Sequence, residues 1–195
     1  MRTTGPDQPD QILLDVADLL VALSIPYAVA GGFAVSFYGI PRATDDADGV
    51  VWIKDSGQSA VDLLNSLRAS GYRAELRQGD PEDPILLSIR VEDNYRNRMD
   101  LLLGVRGLDP DAVHRCVSAS LFGSALRILG AEDLIGMKIF AGGPQDLIDV
   151  RGILQVSRER LNPDLLRQVG RGYGRDVAHT LEELLQQYPL TDEPE

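Results

Sequence analysis

A short apolar run, Tyr27-Ala-Val-Ala30, passes directly into a glycine pair, Gly31-Gly32, with amphipathic segments on both sides. Few folds accommodate this. A buried strand that turns at once into a helix needs residues without Cβ atoms at the turn and a sheet to bury the strand in. Upstream, Ile12, Leu13, Val16, Leu19, Leu20 and Leu23 recur at helical spacing, with Asp15, Asp18 and Ser24 off that stripe, until Pro26 stops the helix. Downstream, residues 33–38 read as a second helix closed by Gly39 and Pro41, and residues 46–53 as a strand rich in Val50, Val51, Trp52 and Ile53.

The remaining pattern extends the alternation. Residues 58–70 predict a helix ended by Gly71, and strands are expected at 72–76, 85–91, 99–103 and 125–129, with a loop at 79–84 and a short helix at 110–116. From Ala131 the chain reads as helices at 131–140, 145–156, 163–170 and 177–188, punctuated by Gly142-Gly-Pro144 and Asn162-Pro163. The expected architecture is an α/β (α+β) mixed sheet flanked by helices over residues 9–130, with a C-terminal helical region over 131–190 packed on that core. Residues 1–8 read as a loose polar lead.

Several classes are disfavoured. Thirty acidic against 19 basic residues give a formal charge of −11, a field that repels phosphate backbones. Arg90, Arg96, Arg98 and Arg106 could form a basic edge, but scattered solvated arginines are the better reading. Cys116 is alone, so no intramolecular disulfide forms. No apolar run nears the ~20 residues of a membrane span, and residues 1–11 lack the order of a signal peptide, so a cytoplasmic protein is expected. His114 and His179 lack zinc-ligand spacing.

Chemistry concentrates in Arg42-Ala-Thr-Asp-Asp-Ala-Asp48. On a strand, Asp46 and Asp48 share a face and Asp45 does not. Side-by-side carboxylates repel unless a cation joins them, and Mg²⁺ suits such a pair because it is commonly held by one or two carboxylates plus substrate phosphates. The competing reading is an acidic, solvated turn. A calcium loop of the EF-hand kind starting at Thr44 fails, because Asp55 stands where Glu is required and residues 50–53 look like a strand. Asp100, a carboxylate within the apolar stretch Met99-Asp-Leu-Leu-Leu103, is costly to bury unless paired or metal-bound. It is the expected third ligand or general base, with a salt bridge to Arg98 or Arg42 as the alternative.

This pattern resembles the nucleotidyltransferase superfamily: a glycine pair at a strand-to-helix turn, Asp-x-Asp on the next strand and a third carboxylate on a later one. The matching residues are Gly31-Gly32, Asp46-Ala-Asp48 and Asp100, within an alignable segment of residues 27–155. The lead-in Arg42-x-Thr44-x-Asp46-x-Asp48 is most similar to the uncharacterised and AbiEii-type branch, which includes toxins of type IV toxin–antitoxin systems. The resemblance implies transfer of a nucleoside monophosphate from a nucleoside triphosphate, with Mg²⁺ or Mn²⁺ held by Asp46, Asp48 and Asp100. The acceptor would be RNA, a protein or a small molecule, and an antitoxin partner is implied for the toxin members. Gly31, Gly32, Arg42, Thr44 and Lys138 would then bind nucleotide and phosphate, supported by Asp146 and Asp149.

Lys138 also admits a plain salt bridge to Asp146 or Asp149. Two departures stand out. Gly143 and Gln145 replace basic residues usual before Asp146, which favours a degenerate member binding nucleotide or protein without turnover, although retention of three carboxylates opposes it. Gly49 replaces an apolar residue after Asp48, an expected loosening of the strand.

Overall fold

In the computed structural model, which describes residues 1–190, helix α1 (Pro9–Ala22) begins with proline in its first turn and buries Ile12, Leu13, Val16 and Leu20. Strand β1 (Tyr27–Ala30) is buried at every residue. It runs without a connecting loop into α2 (Gly31–Phe37), which starts at the glycine pair itself rather than at residue 33. Strand β2 (Asp46–Val51) follows. It stops short of Ile53, which opens a 3-10 turn (Ile53–Ser56). Helix α3 (Ala60–Ala69) is set by a reciprocal cap in which the Ser59 hydroxyl accepts from the Asp62 N–H and Asp62 accepts from the Ser59 N–H.

Strands β3 (Arg73–Gln78), β4 (Ile85–Glu92) and β5 (Arg98–Val105) form antiparallel neighbours. A 3-10 helix (Pro110–Arg115) replaces the expected helix at 110–116. The hairpin of β6 (Val117–Leu121) and β7 (Ser124–Ile128) comes next. Its first strand escapes a sequence reading because Ser118, Ala119 and Ser120 are poor strand formers. Its turn also lacks the usual Asn-Gly signal, with Phe122 and Gly123 supplying the two positive φ values of 48° and 80°.

Among the described residues the strands form one seven-stranded mixed sheet in the order β3-β4-β5-β2-β1-β7-β6. Pairings β2–β5 and β1–β7 are parallel, and β1–β2 is antiparallel. Alternation then decides which side chains meet what. Ala47, Met99, Leu101, Ile89 and Val91 occupy one face and are fully or almost fully buried. Helix α1 packs on β2 and β5. Gly49 does not loosen β2: a Cβ there would stand 2.9 Å from Met99 Cε, so the missing side chain is what lets Met99 close over the strand.

Helices α4 (Ala131–Ala141), α5 (Pro144–Ser157), α6 (Pro163–Tyr173) and α7 (Arg175–Gln187) complete the chain. Helix α4 is central, with α5, α6 and α7 all packed on it. It therefore buries residues on nearly all sides, including Asp133, Leu134, Ile135 and Lys138. Among the described residues no helix is long and apolar enough to cross a membrane.

Candidate active site

The parallel pairing of β2 and β5 sets Asp48 directly opposite Asp100 and Asp46 opposite Arg98. Paired residues on neighbouring strands point to the same side, as do residues two apart on one strand, so Asp46, Asp48 and Asp100 occupy one sheet face. Asp45 precedes the strand and is exposed. Burial, then the negative charges of Asp46 and Asp100, push the Asp48 carboxyl up to about 7, with Lys138 and Arg42 pulling against them.

Asp100 is not free. The Arg90 guanidinium donates from Nε to Oδ1 at 2.9 Å and from Nη2 to Oδ2 at 2.8 Å, a bidentate pair. The partners offered by sequence, Arg98 and Arg42, are engaged elsewhere: Arg98 lies 3.7 Å from Glu92, and Arg42 binds Asp149 at 3.2 Å. Arg90 pairs because the antiparallel register of β4 and β5 sets it directly across from Asp100. Its only sequence signal was a place in a candidate strand, and register across a loop is not written locally. Arg106 stays exposed and donates to the Pro81 and Asp83 carbonyls.

The glycine turn closes over this face. Gly31 has φ +55°, and a Cβ on it would lie 1.9 Å from Asp48 Oδ2. Only glycine allows both the left-handed backbone and this approach. At Gly32 a Cβ would stand 2.9 Å from Thr44 Cβ and 3.2 Å from Arg42 Nη1. The Thr44 hydroxyl donates to the Asp46 carbonyl at 2.8 Å, anchoring the start of β2.

Lys138 is buried on α4, and its Nζ lies 2.8 Å from both Asp146 Oδ1 and Asp149 Oδ2. Gln145, where a basic residue was expected, donates to Asp149 Oδ1 at 3.0 Å. Asp149, 1% exposed, thus gathers Lys138, Arg42 and Gln145 into one network that ties α4 and α5 to the loop before β2. This network borders a cavity of about 460 Å³ that also touches Gly31, Arg42 and Asp48. The same cavity is also lined by the apolar Ile85, Leu102, Val105, Met137 and Phe140, and by Asp83.

Among the described residues no three His, Cys, Asp or Glu side chains form a ready metal cage. The donor set still fits Mg²⁺. Asp46 and Asp48 supply hard oxygen ligands on one face, burial and the neighbouring carboxylates disfavour the ionised Asp48 until a cation joins it, and Mg²⁺ ordinarily completes its shell with water and substrate phosphate.

No family model and no curated protein matches the chain. Solved structures do. An antigenic nucleotidyltransferase-like protein from Paracoccidioides brasiliensis is similar over 95% of this chain and 90% of its own, at 18% identity and TM-score 0.57. The antibiotic-resistance factor ANT(2'')-Ia is similar over 91% of this chain and 99% of its own, at 14% identity and TM-score 0.56. The lincosamide antibiotic adenylyltransferase LnuA, solved with lincomycin bound, is similar over 78% and 99%, at 11% identity and TM-score 0.50. The seven-stranded mixed sheet with its flanking helices is the nucleotidyltransferase fold.

Proposed function

We propose that this protein is a metal-dependent nucleotidyltransferase acting on a small acceptor. The observation that carries the reading is the alignment of Asp46, Asp48 and Asp100 on one sheet face, beneath a glycine turn that touches Asp48 and beside a cavity bordered by Lys138. In the reaction an acceptor oxygen bonds to the α-phosphorus of a nucleoside triphosphate, the bond from that phosphorus to the bridging oxygen breaks, and pyrophosphate leaves. Asp46 and Asp48 would hold the cation. Bound Mg²⁺ or Mn²⁺ would neutralise phosphate charge and align attack with departure.

The chain's own residues divide the remaining work. Gly31 and Gly32 offer backbone N–H groups at the start of α2, where phosphate oxygens are well received. Lys138 and Arg42 add positive charge along the cleft, held in place by Asp146 and Asp149. Thr44 holds Asp46 in register through its backbone bond. Asp100, expected from the sequence as proton acceptor or further ligand, has both oxygens held by Arg90, so either role would first require breaking that pair.

A small acceptor is favoured by two features. The −11 charge opposes polyanions, and the cavity is lined largely by apolar side chains, with its cations Arg42 and Lys138 already held in ion pairs with Asp149 and Asp146. The similar ANT(2'')-Ia has been solved in complex with adenylyl-2''-tobramycin, and LnuA with lincomycin. A catalytically degenerate binding role is less well supported, because a pure binding module gains nothing from three carboxylates brought together on one face. The Arg42-x-Thr44 lead-in is what links the chain to toxins, and growth arrest on expression, relieved by a neighbouring gene product, would test that role.

The reading is tested by incubating the protein with α-labelled triphosphates, Mg²⁺ or Mn²⁺, and a panel of hydroxylated small molecules, tRNA and protein. Label should pass to a small molecule only when metal is present. Labelling that is indifferent to chelator would sink the metal-dependent reading.

A further inference from the structure

Two charges compete for Asp100. In a site that takes two cations, the carboxylate facing Asp48 across the strands would offer at least one oxygen to metal. Here both oxygens already accept from Arg90, at 2.9 and 2.8 Å, in the planar fork geometry that binds a carboxylate most specifically. The arrangement follows from strand register. Arg90 on β4 and Asp48 on β2 flank Asp100 on β5, each directly opposite it.

We infer that Arg90 stands in for a second cation: the cleft binds one divalent ion, through Asp46 and Asp48, while Asp100 remains a guanidinium-bound group that positions charge without ligating metal. The inference rests on the nucleotidyl-transfer reading above.

Three observations support it. Taking the three carboxylates with Arg90, the cation paired directly to one of them, a single divalent ion offsets the group's charge, because the other same-face cations Arg73, Arg98 and Arg77 are paired with Glu92 and Glu75. Second, Arg90 is held by more than Asp100, because Asp46 also adds to the negative field around the guanidinium. Third, the carboxylate across from Arg90 on β3, Glu75, already accepts from Arg77 at 2.8 and 3.1 Å, so a displaced Arg90 would have to compete for it. The positive charges on the other side of the cleft, Lys138 and Arg42, are likewise committed to Asp146 and Asp149 and do not reach Asp100.

The test counts ions directly. Equilibrium dialysis against Mn²⁺, with and without α,β-methylene-ATP, gives bound ions per chain, and electron paramagnetic resonance gives their affinity. The expected result is one Mn²⁺ for the unaltered protein and two for Arg90→Ala, where Asp100 is freed. Two ions in the unaltered protein would overturn the inference while leaving nucleotidyl transfer standing. One ion in both proteins would overturn the role given to Arg90. No bound ion under either condition would remove the inference together with the metal-dependent reading beneath it.

Should Arg90→Ala fold poorly, Arg90→Gln, which stays polar but cannot fork onto Asp100 as a cation, decides by the same count: two Mn²⁺ per chain support the inference and one overturns the role given to Arg90.

Discussion

Asp48 is pressed against Gly31 and flanked by Asp46 and Asp100, so ionising it costs free energy until a cation joins the cleft. Its folded-state value, about 7, lies above the ordinary 3.8. Below that ordinary value both states hold the proton and the cost is absent. Between the two the native state alone holds it, so stability falls as pH rises, and above about 7 the whole cost is present. Asp48→Asn should therefore raise metal-free stability by on the order of 1–3 kcal/mol at pH 8, with the gain fading toward pH 4, as thermal melts across pH would show. The same variant, and Asp46→Asn, should lose nearly all metal-dependent labelling, whereas Asp45→Asn, altered outside the strand, should keep it. Gly31→Ala makes a second contrast. It should cost about 2 kcal/mol or more in urea unfolding, through the left-handed backbone and the collision with Asp48 together. Gly57→Ala, at φ +71° with nothing nearby, should lose only the backbone share, about 1 kcal/mol.

Helix α4 joins the site to the rest of the chain through two buried charges at opposite ends. Near its start Asp133, fully buried, accepts from Arg115 Nε at 2.9 Å and Nη2 at 2.8 Å, fastening the helix to the 3-10 segment before β6. Arg115→Met would strand that carboxylate and should cost about 3–5 kcal/mol, while Arg115→Met combined with Asp133→Asn recovers part of the loss. Protein still folded should transfer nucleotide normally, because the pair lies outside the cleft lining. At the other end Lys138→Met leaves Asp149 buried with only Arg42 and Gln145. It should lower stability and also raise the KM for triphosphate, a combination that separates it from Arg115→Met. Urea unfolding and initial-rate kinetics on the two variants check both statements.

For the whole molecule, a charge of −11 and a largely apolar cleft whose cations Arg42 and Lys138 are held in ion pairs favour uncharged or cationic acceptors. Filter binding should show tRNA to be a weak ligand even at low ionic strength, and added tRNA should neither take label nor compete with a small acceptor. Tight, salt-sensitive tRNA binding would mean that a local basic surface outweighs the net charge, and the small-acceptor reading would fail.

The amino-acid sequence was enough for the alternation of elements, because hydrophobic spacing and Gly/Pro punctuation are local. It placed β1 into α2 at the glycine pair, Asp46 and Asp48 on a common face, and the four C-terminal helices to within a few residues. It missed β6, whose serines and alanine carry little strand signal, and it misread Gly49, whose purpose depends on Met99 from another strand. What only the tertiary structure decided was pairing across distance. The register of β4 on β5 chose Arg90 over Arg98 and Arg42 for Asp100, and the packing of α5 on α4 gave Lys138 both Asp146 and Asp149 at once. Such choices depend on how strands slide past one another and how helices dock, where a shift of one residue reverses every side chain's face, and nothing within a single segment specifies them.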